Sequence, residues 1–223
     1  MKIAIITIST GSYNKFLSDL YESINKFFLP KHDRHFFLFS DVQHELWNTF
    51  IKIDALPKPL NTLLKFHYFN KLSLDEFDLI YFFDSDSVVV DMINDEVIPD
   101  YPGEIIAVEH PWQGKDSTIY ERNILSTACV TDNKRIHYFQ SCFFGGFADD
   151  FCKMSKQLEI NTNIDLKNNI IPIWREESQF NRYCINNPIK ALNMAYAYPD
   201  FKIWNQTFNI LPKIVHFNYS SVA

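Results

Sequence analysis

A run of five apolar residues that ends in two aspartates constrains the fold of this chain more than any other stretch. The run extends from Leu79 to Phe83 and is followed by Asp84, Ser85 and Asp86. Such a run, rich in aromatic residues, predicts a strand buried on both faces, as in the interior of a parallel sheet. If the strand stays extended, its period of two places both carboxylates on one side. In open α/β sheets, this end of a strand is where ligands collect.

The two carboxylates need a partner, because neighbouring like charges repel and are costly to bury without compensation. A hard divalent cation that also holds a diphosphate meets that need, since Mg²⁺ typically takes one or two carboxylates together with phosphate oxygens. The plainer interpretation is that Asp84 and Asp86 only cap a turn after a core strand. The motif is short, so these residues alone leave both interpretations open.

The composition restricts the classes of protein to consider. With 223 residues, 47% hydrophobic and 16% aromatic, the chain can form one full-sized core and is not disordered. Its net charge of −6 and the lack of a basic block argue against nucleic-acid binding. No stretch is long enough to span a bilayer, the N-terminus lacks a signal-peptide cleavage site, and the four cysteines lack metal-ligand spacing. We therefore expect a single-domain cytoplasmic protein with reduced thiols.

The order of the predicted elements indicates an α/β protein. Strand-like and helical stretches alternate up to the aspartates, which favours a parallel nucleotide-binding sheet. These stretches are strands at residues 2–8, 34–40 and 47–56, and helices at 13–29 and 61–74. Further strands are predicted at 104–108, 138–147 and 211–217, and helices at 149–158 and after residue 175. The asparagine-rich residues 161–169 predict an exposed loop.

Six stretches resemble a known enzyme family in order and spacing. They are Tyr13-x-x-Phe16-Leu17, Phe36 to Asp41, Asp84-Ser85-Asp86, His110-Pro111 with Tyr120-Glu121-Arg122, Tyr138 to Gly146, and Trp174 to Asn181. The family is glycosyltransferase family six, the retaining α-1,3-galactosyl and N-acetylgalactosaminyl transferases that include the ABO blood-group enzymes. The resemblance extends along most of the chain and is far more specific than any single motif.

This resemblance implies a GT-A fold, in which helices flank a single mixed and mostly parallel sheet. Residues from about 1 to 90 would bind the nucleotide-sugar, and residues from about 91 to 223 would form the acceptor-binding half and the C-terminal tail. A hexose (galactose, N-acetylgalactosamine or glucose) would pass from a UDP-sugar to a glycan acceptor with retention, forming an α-1,3 linkage. The anchor and stem of the Golgi members have no counterpart here, which suggests a bacterial or phage member in a cytoplasm.

The resemblance also assigns roles to individual residues. Glu177 is the expected catalytic carboxylate, and Asp84 and Asp86 are expected to hold Mn²⁺ or Mg²⁺. The donor is expected to contact Ile8, Ser9, Tyr13, Lys65, Asp84, Ser85, Gln140, Ser141, Cys142, Glu176 and Lys213. The acceptor is expected to contact His110, Trp174 and Asp200. Plainer interpretations exist: Trp174 as a core residue, Lys65 as a solvated charge, and Glu177 as a glutamate stabilised by a helix dipole.

The chain departs from the family pattern beside the expected catalytic residue and near its end. Arg175-Glu176 replaces a His-Asp pair, so the carboxylate that grips the donor sugar in the family is moved by one methylene. The tail that closes over UDP in the family ends here soon after His216, which leaves Lys213 and His216 as candidate partners of the diphosphate.

Donor choice is expected to depend on Gln140, Ser141 and Cys142, which occupy the selecting positions of the family. A small residue at the position of Cys142 makes room for an N-acetyl group in that family. Because cysteine is larger than glycine, the sequence favours UDP-galactose or UDP-glucose over UDP-N-acetylgalactosamine.

Two other functions fit parts of the sequence. Residues 82–88 also match a motif of haloacid-dehalogenase-like phosphatases, in which Asp84 would be the nucleophile. That motif usually lies on the first strand, whereas here it follows three predicted strands. A non-catalytic sugar-binding protein of the same fold is the other alternative. The presence of Asp84, Asp86 and Glu177 argues against it, whereas Glu176 leaves it open.

Overall fold

The computed structural model describes residues 1–113, 119–131, 137–200 and 208–217. The strands are β1 (Lys2–Ser9), β2 (Asp33–Ser40), β3 (Thr49–Lys52), β4 (Leu79–Asp84), β5 (Ser87–Val89), β6 (Ile105–Glu109), β7 (Phe139–Phe147), β8 (Ile189–Leu192), β9 (Tyr198–Pro199) and β10 (Ile214–His216). The α-helices are α1 (Leu17–Phe27), α2 (Leu60–Leu63), α3 (Lys65–Phe69), α4 (Ala148–Lys167) and α5 (Glu176–Asn186). Among these described helices, none is both long and apolar enough to cross a membrane.

A seven-stranded mixed sheet forms the centre of the described structure, in the order β3-β2-β1-β4-β7-β6-β8. β1 pairs in parallel with both β2 and β4, and β3 continues the parallel array beyond β2. β7 runs antiparallel to its neighbours β4 and β6, and β8 pairs in parallel with β6. The predicted α/β class with a mixed, mostly parallel sheet is therefore confirmed. A second sheet, in the order β5-β10-β9, was not predicted.

The strand that leads to the aspartates lies at the centre of the core, as its apolar run predicts. All five side chains from Leu79 to Phe83 are fully buried. Tyr81 and Phe83 pack in the cluster that includes α1, whereas Ile80 and Phe82 pack on the opposite side with α3 and α4. Because β4 is enclosed on both faces, its carboxyl end is a rigid support for Asp84.

Gly145 brings β7 unusually close to β4. A Cβ atom at this position would lie 2.3 Å from Cδ1 of Tyr81 and 2.6 Å from the carbonyl oxygen of Ile80. No side chain can therefore replace the glycine without moving the central strand. The close approach holds the start of β7, with Gln140, Ser141 and Cys142, beside the end of β4.

The helix α4 is longer than predicted, and the expectation of an exposed loop at residues 161–169 is wrong. The helix continues to Lys167. Asparagine and threonine have low helix propensity, but Thr162 and Asp165 are each only 1% exposed and face the interior. Asp165 accepts hydrogen bonds from the Ser126 hydroxyl at 2.6 Å and from the Gln179 amide at 2.9 Å. These tertiary contacts outweigh the local preference for a loop.

Two other predicted helices are divided. The stretch at residues 61–74 forms the short helices α2 and α3, which are joined at Leu64 and end at Phe69. The stretch that begins at Tyr13 opens with a 3₁₀ turn over Gly11–Phe16 before α1 starts.

Candidate active site

The two aspartates lie where β4 ends, but the strand does not stay extended through both of them. Asp84 is the last residue of β4, and Ser85 and Asp86 form a turn that leads into β5. The period of an extended strand therefore does not align the two carboxylates. The turn nevertheless places both at two adjoining cavities, of about 220 and about 310 Å³, that share Tyr13, Asp84 and Asp86.

Most of the residues predicted to contact the donor line these cavities. The smaller cavity is lined by the predicted residues Ile8, Ser9, Tyr13, Lys65, Asp84, Ser85 and Asp86. The larger one is lined by Tyr13, Asp84, Asp86, Gln140, Cys142 and His216. Ile8 and Ser9 end β1, the neighbour of β4, so the site occupies the carboxyl ends of adjacent parallel strands, as expected for an α/β sheet.

Several lining residues were missed by the sequence analysis. They are Thr10, Lys58, Asn61, Thr62, Trp112, Ala197, Pro199 and Phe217. One signal could have found two of them, because Asn61 and Thr62 precede Lys65 by four and three residues, the spacing of neighbours on a helix face. The others come from loops and from the second sheet, whose position depends on pairing distant in the sequence.

Lys65 is a buried cation at the centre of the site and not a solvated charge. It is 4% exposed, and its Nζ donates to the carbonyl oxygen of Ser141 at 2.8 Å. The same atom lies 3.5 Å from Oδ1 of Asp84 and 3.5 Å from Oε1 of Glu176. Burial alone would lower the pKa of Lys65, but the two carboxylates outweigh burial and raise it. Lys65 therefore remains charged.

The aspartate pair carries more negative charge than Lys65 can balance. Burial raises the pKa of Asp84 to about 6, against the attraction of Lys65. Burial and the charge of Asp84 raise the pKa of Asp86 to about 7, and Asp86 has no ion pair among the described residues. This unbalanced charge fits a divalent cation. Since no group of three or more His, Cys, Asp or Glu side chains in the described chain could hold a metal, phosphate oxygens and water would complete its shell.

Glu177 lies in the first turn of α5, and its carboxylate is hydrogen-bonded to Ser141 of β7 and to Tyr138, the residue before β7. Its Oε1 accepts a hydrogen bond from the Tyr138 hydroxyl at 3.1 Å, and its Oε2 accepts one from the Ser141 backbone N–H at 3.1 Å. Burial is the main cause that raises the pKa of Glu177 to about 7, and the charge of Glu176 adds to it. The two donors oppose this shift. A helix-end position alone does not account for these contacts.

Glu176 offers an acceptor that the described protein does not use. It is 6% exposed, and while Oε1 faces Lys65, its Oε2 is buried without a hydrogen-bond partner. Arg175, which lines the smaller cavity, precedes it with φ of 53°, a region that non-glycine residues rarely adopt. Of the two residues that depart from the family pattern, Arg175 therefore lines the cavity, and Glu176 lies behind it with one oxygen that has no hydrogen-bond partner.

His216 and Lys213 have different positions, although both were expected near a diphosphate. His216 lines the larger cavity, its Nδ1 lies 3.0 Å from the Ser87 hydroxyl, and its Nε2 is buried without a partner. Burial lowers the pKa of His216 to about 4, so the ring is neutral. Lys213 is not brought to the site, because its Nζ binds Glu96 at 2.7 Å and the carbonyl oxygen of Met92 at 2.8 Å. Residues 218–223, the end of the expected tail, lie outside the described residues.

Two residues predicted to contact the acceptor lie around Tyr138, whose hydroxyl reaches Glu177. The buried ring of His110 lies 5.9 Å from that of Tyr138, and burial lowers the pKa of His110 to about 4. Trp174 is half-buried against a cluster that includes Tyr120 and Tyr138, and its Nε1 is buried without a partner. It is therefore partly a core residue.

Asp200, the third residue predicted to contact the acceptor, directly follows the last residue of β9. Its backbone N–H donates to the carbonyl oxygen of His216 at 3.1 Å. The preceding residue, Pro199, lines the larger cavity. Asp200 therefore lies beside the cavity, on the side of the second sheet.

Comparison with known proteins identifies the family. Residues 60–222 match the profile of glycosyltransferase family 6. The chain belongs to glycosyltransferase family 6. It is 29% identical over 210 residues to the O-antigen biosynthesis glycosyltransferase WbnI of Escherichia coli, covering 90% of this chain and 89% of the relative. It is 26% identical over 227 residues to the human globoside alpha-1,3-N-acetylgalactosaminyltransferase 1, covering 91% of this chain but only 62% of the human protein.

Family membership confirms the predicted resemblance and makes the protein a glycosyltransferase with a GT-A-like fold. The comparisons give no support to the phosphatase or to the non-catalytic alternative. The structure agrees with this outcome, since β4, which carries Asp84, is a central strand preceded by β1, β2 and β3.

A cavity of about 600 Å³ lies elsewhere, between α4 and α5, and contains none of the predicted site residues. Its lining includes Gly103 and Pro188, which precede β6 and β8, together with Arg182. β6 and β8 run in the same direction as β4, so they begin at the end of the sheet opposite to Asp84. The volume of a cavity alone therefore does not mark the active site.

Proposed function

We propose that this family 6 enzyme transfers a hexose from a UDP-sugar to a glycan acceptor with retention of configuration, and that it requires a divalent cation. The observation that carries the proposal is the peptide of Ser141. Its N–H donates to Glu177 at 3.1 Å, and its carbonyl oxygen accepts from Lys65 at 2.8 Å. Since Lys65 in turn faces Asp84, a single residue of β7 connects the expected catalytic carboxylate with the aspartate pair.

The donor occupies the two adjoining cavities. Ile8, Ser9 and Tyr13 lie on the side away from Glu177 and receive the nucleoside, while the diphosphate lies at Asp84, Ser85 and Asp86. Mn²⁺ or Mg²⁺ bound by the two aspartates would supply Lewis-acid stabilisation of the leaving diphosphate. Lys65 is already used by the protein, so its charge contributes through Asp84 and not by direct transfer of a proton. His216 offers a neutral ring nitrogen to the same region.

The hexose lies between Glu176 and the start of β7. The unpartnered Oε2 of Glu176 accepts a hydrogen bond from a sugar hydroxyl. Sγ of Cys142 lies 3.2 Å from Oε1 of Gln140, so these two side chains together occupy space that an N-acetyl group would need. We therefore favour UDP-galactose or UDP-glucose as the donor, in contrast to the N-acetylgalactosaminyl transfer named for the human relative.

Glu177 stabilises the positive charge that develops at the anomeric carbon. The bond from this carbon to the diphosphate oxygen breaks, the acceptor oxygen bonds to the same face, and the acceptor's proton passes to the departing diphosphate. The alternative is a covalent glycosyl intermediate on Glu177, as in retaining glycosidases. We favour the first route, because both oxygens of Glu177 already accept hydrogen bonds that hold them in place.

The acceptor binds against His110 and Trp174 near Tyr138 and reaches Asp200 beside the larger cavity, and it receives the sugar in an α-1,3 linkage. The names of the relatives indicate glycans of a bacterial O-antigen and of globoside as the general class. Trp174 presents part of its ring for stacking, while its other part packs in the core.

The test is a donor screen that measures UDP release with Mn²⁺ from UDP-galactose, UDP-glucose and UDP-N-acetylgalactosamine. We expect turnover with one of the first two, none in EDTA, and an α-configured product by NMR. Release of UDP from none of them, or a β-configured product, would overturn the proposal. Hydrolysis of p-nitrophenyl phosphate in parallel tests for phosphatase activity.

A further inference from the structure

Seven exposed aliphatic side chains lie in chain segments next to the acceptor residues. The proposed reaction does not use them. We call these seven side chains the aliphatic patch. Its members are Ile119, Ile124, Leu125, Ile160, Ile164, Ile171 and Ile173, with exposed fractions from 39% to 78%. Ile124 and Leu125 are the most exposed of them, at 78% and 72%. A soluble surface rarely presents so many large aliphatic groups together unless they meet a partner.

Hydrogen bonds hold the three segments of the patch together. The loop at residues 119–127 binds α4, because the N–H of Thr127 donates to Asp165 at 2.8 Å. The segment before α5 binds the same loop, because the N–H of Ile173 donates to Glu121 at 2.7 Å. Ile170 also donates to the carbonyl oxygen of Asp165 at 2.8 Å. The three segments that carry the aliphatic patch are therefore neighbours in the fold, although they come from distant parts of the chain.

The exposed charges nearest to the patch are basic. Within residues 119–127, 156–167 and 170–174 the exposed charged side chains are Arg122, Lys156 and Lys167, whereas the exposed Asp149 and Lys153 lie nearer to the start of α4. Lys156, Ile160, Ile164 and Lys167 recur at the spacing of one helix face, so a lysine lies on either side of the two isoleucines along α4. This local charge contrasts with the net charge of −6 of the whole chain.

The acidic side chains of the same segments do not oppose this charge at the surface. Glu121 and Asp165 are buried, at 9% and 1% exposure, and are used in the hydrogen bonds that hold the segments. Glu159 is half-buried and bonded to Asn70. Within these stated residues, the described surface therefore combines aliphatic, basic and neutral polar side chains, the last including Asn123 and Asn163, and no exposed acidic one.

We propose that the aliphatic patch binds the surface of an anionic lipid membrane. Aliphatic groups enter the boundary between headgroups and acyl chains, while basic groups attract anionic headgroups. A symmetric contact with a second copy would instead oppose the basic groups of one patch to those of the other. The patch is also linked to the acceptor region along the chain, since Ile173 precedes Trp174 and Ile119 precedes Tyr120. A lipid-borne acceptor would then meet the site with its sugar already beside Glu177.

The experiment is vesicle flotation with the full chain, which does not depend on the proposed transfer reaction. Vesicles of phosphatidylcholine alone are compared with vesicles of phosphatidylcholine and phosphatidylglycerol. We expect the protein to float with the anionic vesicles and to be released by salt. The double variant Ile124→Ser, Leu125→Ser should weaken binding on the order of tenfold or more, because each exposed aliphatic group contributes to burial in lipid. Lys156→Gln, Lys167→Gln should remove the preference for anionic lipid.

A matched control is Val42→Ser, which changes a side chain 56% exposed that follows β2, outside the patch. It should bind vesicles like the original protein, and circular dichroism should show all variants folded. The proposal would be overturned if the protein floated with neither kind of vesicle, or if all variants floated equally with the anionic vesicles. A concentration-dependent dimer in analytical ultracentrifugation that the Ile124→Ser, Leu125→Ser variant abolishes would instead assign the patch to a second copy and overturn it too.

Discussion

Nζ of Lys65 lies 3.5 Å from Oδ1 of Asp84, and Lys65 itself is only 4% exposed. The same nitrogen lies 3.5 Å from Oε1 of Glu176, so one buried cation faces two carboxylates from different elements. Its remaining contact, to the carbonyl oxygen of Ser141 at 2.8 Å, adds β7 to the group. Lys65 thereby joins α3, β4, β7 and α5 at the site.

Replacing Lys65 should destabilise the metal-free protein. Lys65→Met keeps the apolar stem but leaves Glu176 and Asp84 without their cation. We expect a loss of about 1–3 kcal/mol, less than for a fully buried pair because the Asp84 side chain is 37% exposed. Urea unfolding at neutral pH measures the loss. The control is Lys52→Met, at an exposed position of β3. Equal unfolding midpoints for the two variants would contradict the role given to Lys65.

The raised pKa values of Asp84 and Asp86 predict that these two groups destabilise the metal-free protein as the pH rises. The ordinary value of both groups is 3.8, and the folded values are about 6 and about 7. Between about pH 4 and pH 7 these two groups hold protons in the folded state that they have released in the unfolded chain, so their contribution to the free energy of unfolding falls with pH. Asp84→Asn, Asp86→Asn should flatten this slope and raise the melting temperature at neutral pH without divalent cations. His110 and His216, whose pKa values are lowered to about 4, contribute in the opposite direction, and the variant isolates the part that the aspartates contribute.

The same double variant tests the proposed cation. Mn²⁺ should raise the melting temperature of the original protein, since a ligand that binds only the folded state stabilises it, and should not affect the variant. Calorimetric titration with Mn²⁺ gives the binding directly, and transfer should fall strongly. Full activity of the original protein in EDTA would disprove the requirement for metal while leaving the stability argument intact.

The sequence predicts the parts of this fold in which local pattern and burial agree. β4 is read correctly because its apolar run needs no distant partner to be recognised. The end of α4 is not predicted correctly, because the hydrogen bond that stabilises the buried Asp165 comes from Ser126, 39 residues away in the sequence. The resemblance likewise assigns Lys65 to the donor site, but only the fold shows that its amino group is held by Ser141. The position of Lys213 could not be read from the sequence for the same reason as the end of α4: Glu96, which binds it, is 117 residues distant.

His216 and Lys213 should respond differently to alanine substitution. His216→Ala should raise the donor KM, because it removes a ring that lines the cavity with both aspartates. Lys213→Ala should leave KM unchanged and cost at most about 1 kcal/mol, the usual range for a partly exposed ion pair. Steady-state kinetics and urea unfolding of both variants separate these effects. A change in stability without a change in KM for His216→Ala would limit His216 to a role in the second sheet.

A deletion of the residues after Leu211 would be a poorer test of the tail than these two substitutions. β10 is the middle strand of the second sheet, paired with both β5 and β9. Its loss would unfold that sheet and obscure any effect on the donor.

Donor choice should change when Cys142 is made smaller. Cys142→Gly removes the thiol that lies 3.2 Å from Gln140 and leaves space for an N-acetyl group. We expect the ratio of kcat/KM for UDP-N-acetylgalactosamine over UDP-galactose to increase. The control is Cys152→Ala, which removes a thiol far from the donor residues. Alanine is used there because Cys152 lies within α4, where glycine would destabilise the helix. A preference of the original protein for UDP-N-acetylgalactosamine would show that the argument from pocket size is wrong.

Tyr138 should set the pH dependence of Glu177. Its hydroxyl donates to Glu177 at 3.1 Å and thereby lowers a carboxyl pKa that burial raises to about 7. In Tyr138→Phe this pKa should rise further, so a larger fraction of Glu177 is protonated at neutral pH. The ascending limb of the profile of kcat against pH should therefore move to higher pH, with activity recovered under alkaline conditions. Tyr183→Phe, which changes a tyrosine on α5 away from Glu177, should leave the profile in place.

The role of Glu177 itself is tested by removing its charge and then its side chain. Glu177→Gln should lose most transfer while UDP still binds, because the lost interaction stabilises the transition state and not the ground state. Near-normal transfer by this variant would reduce Glu177 to a helix-end glutamate. In Glu177→Ala, azide distinguishes the two routes: a β-configured glycosyl azide indicates a vacated nucleophile site, whereas no rescue favours attack from the face of the leaving group. We expect no rescue, because Tyr138 and Ser141 hold both oxygens of Glu177 as acceptors, an arrangement suited to a fixed charge and less to an attacking one.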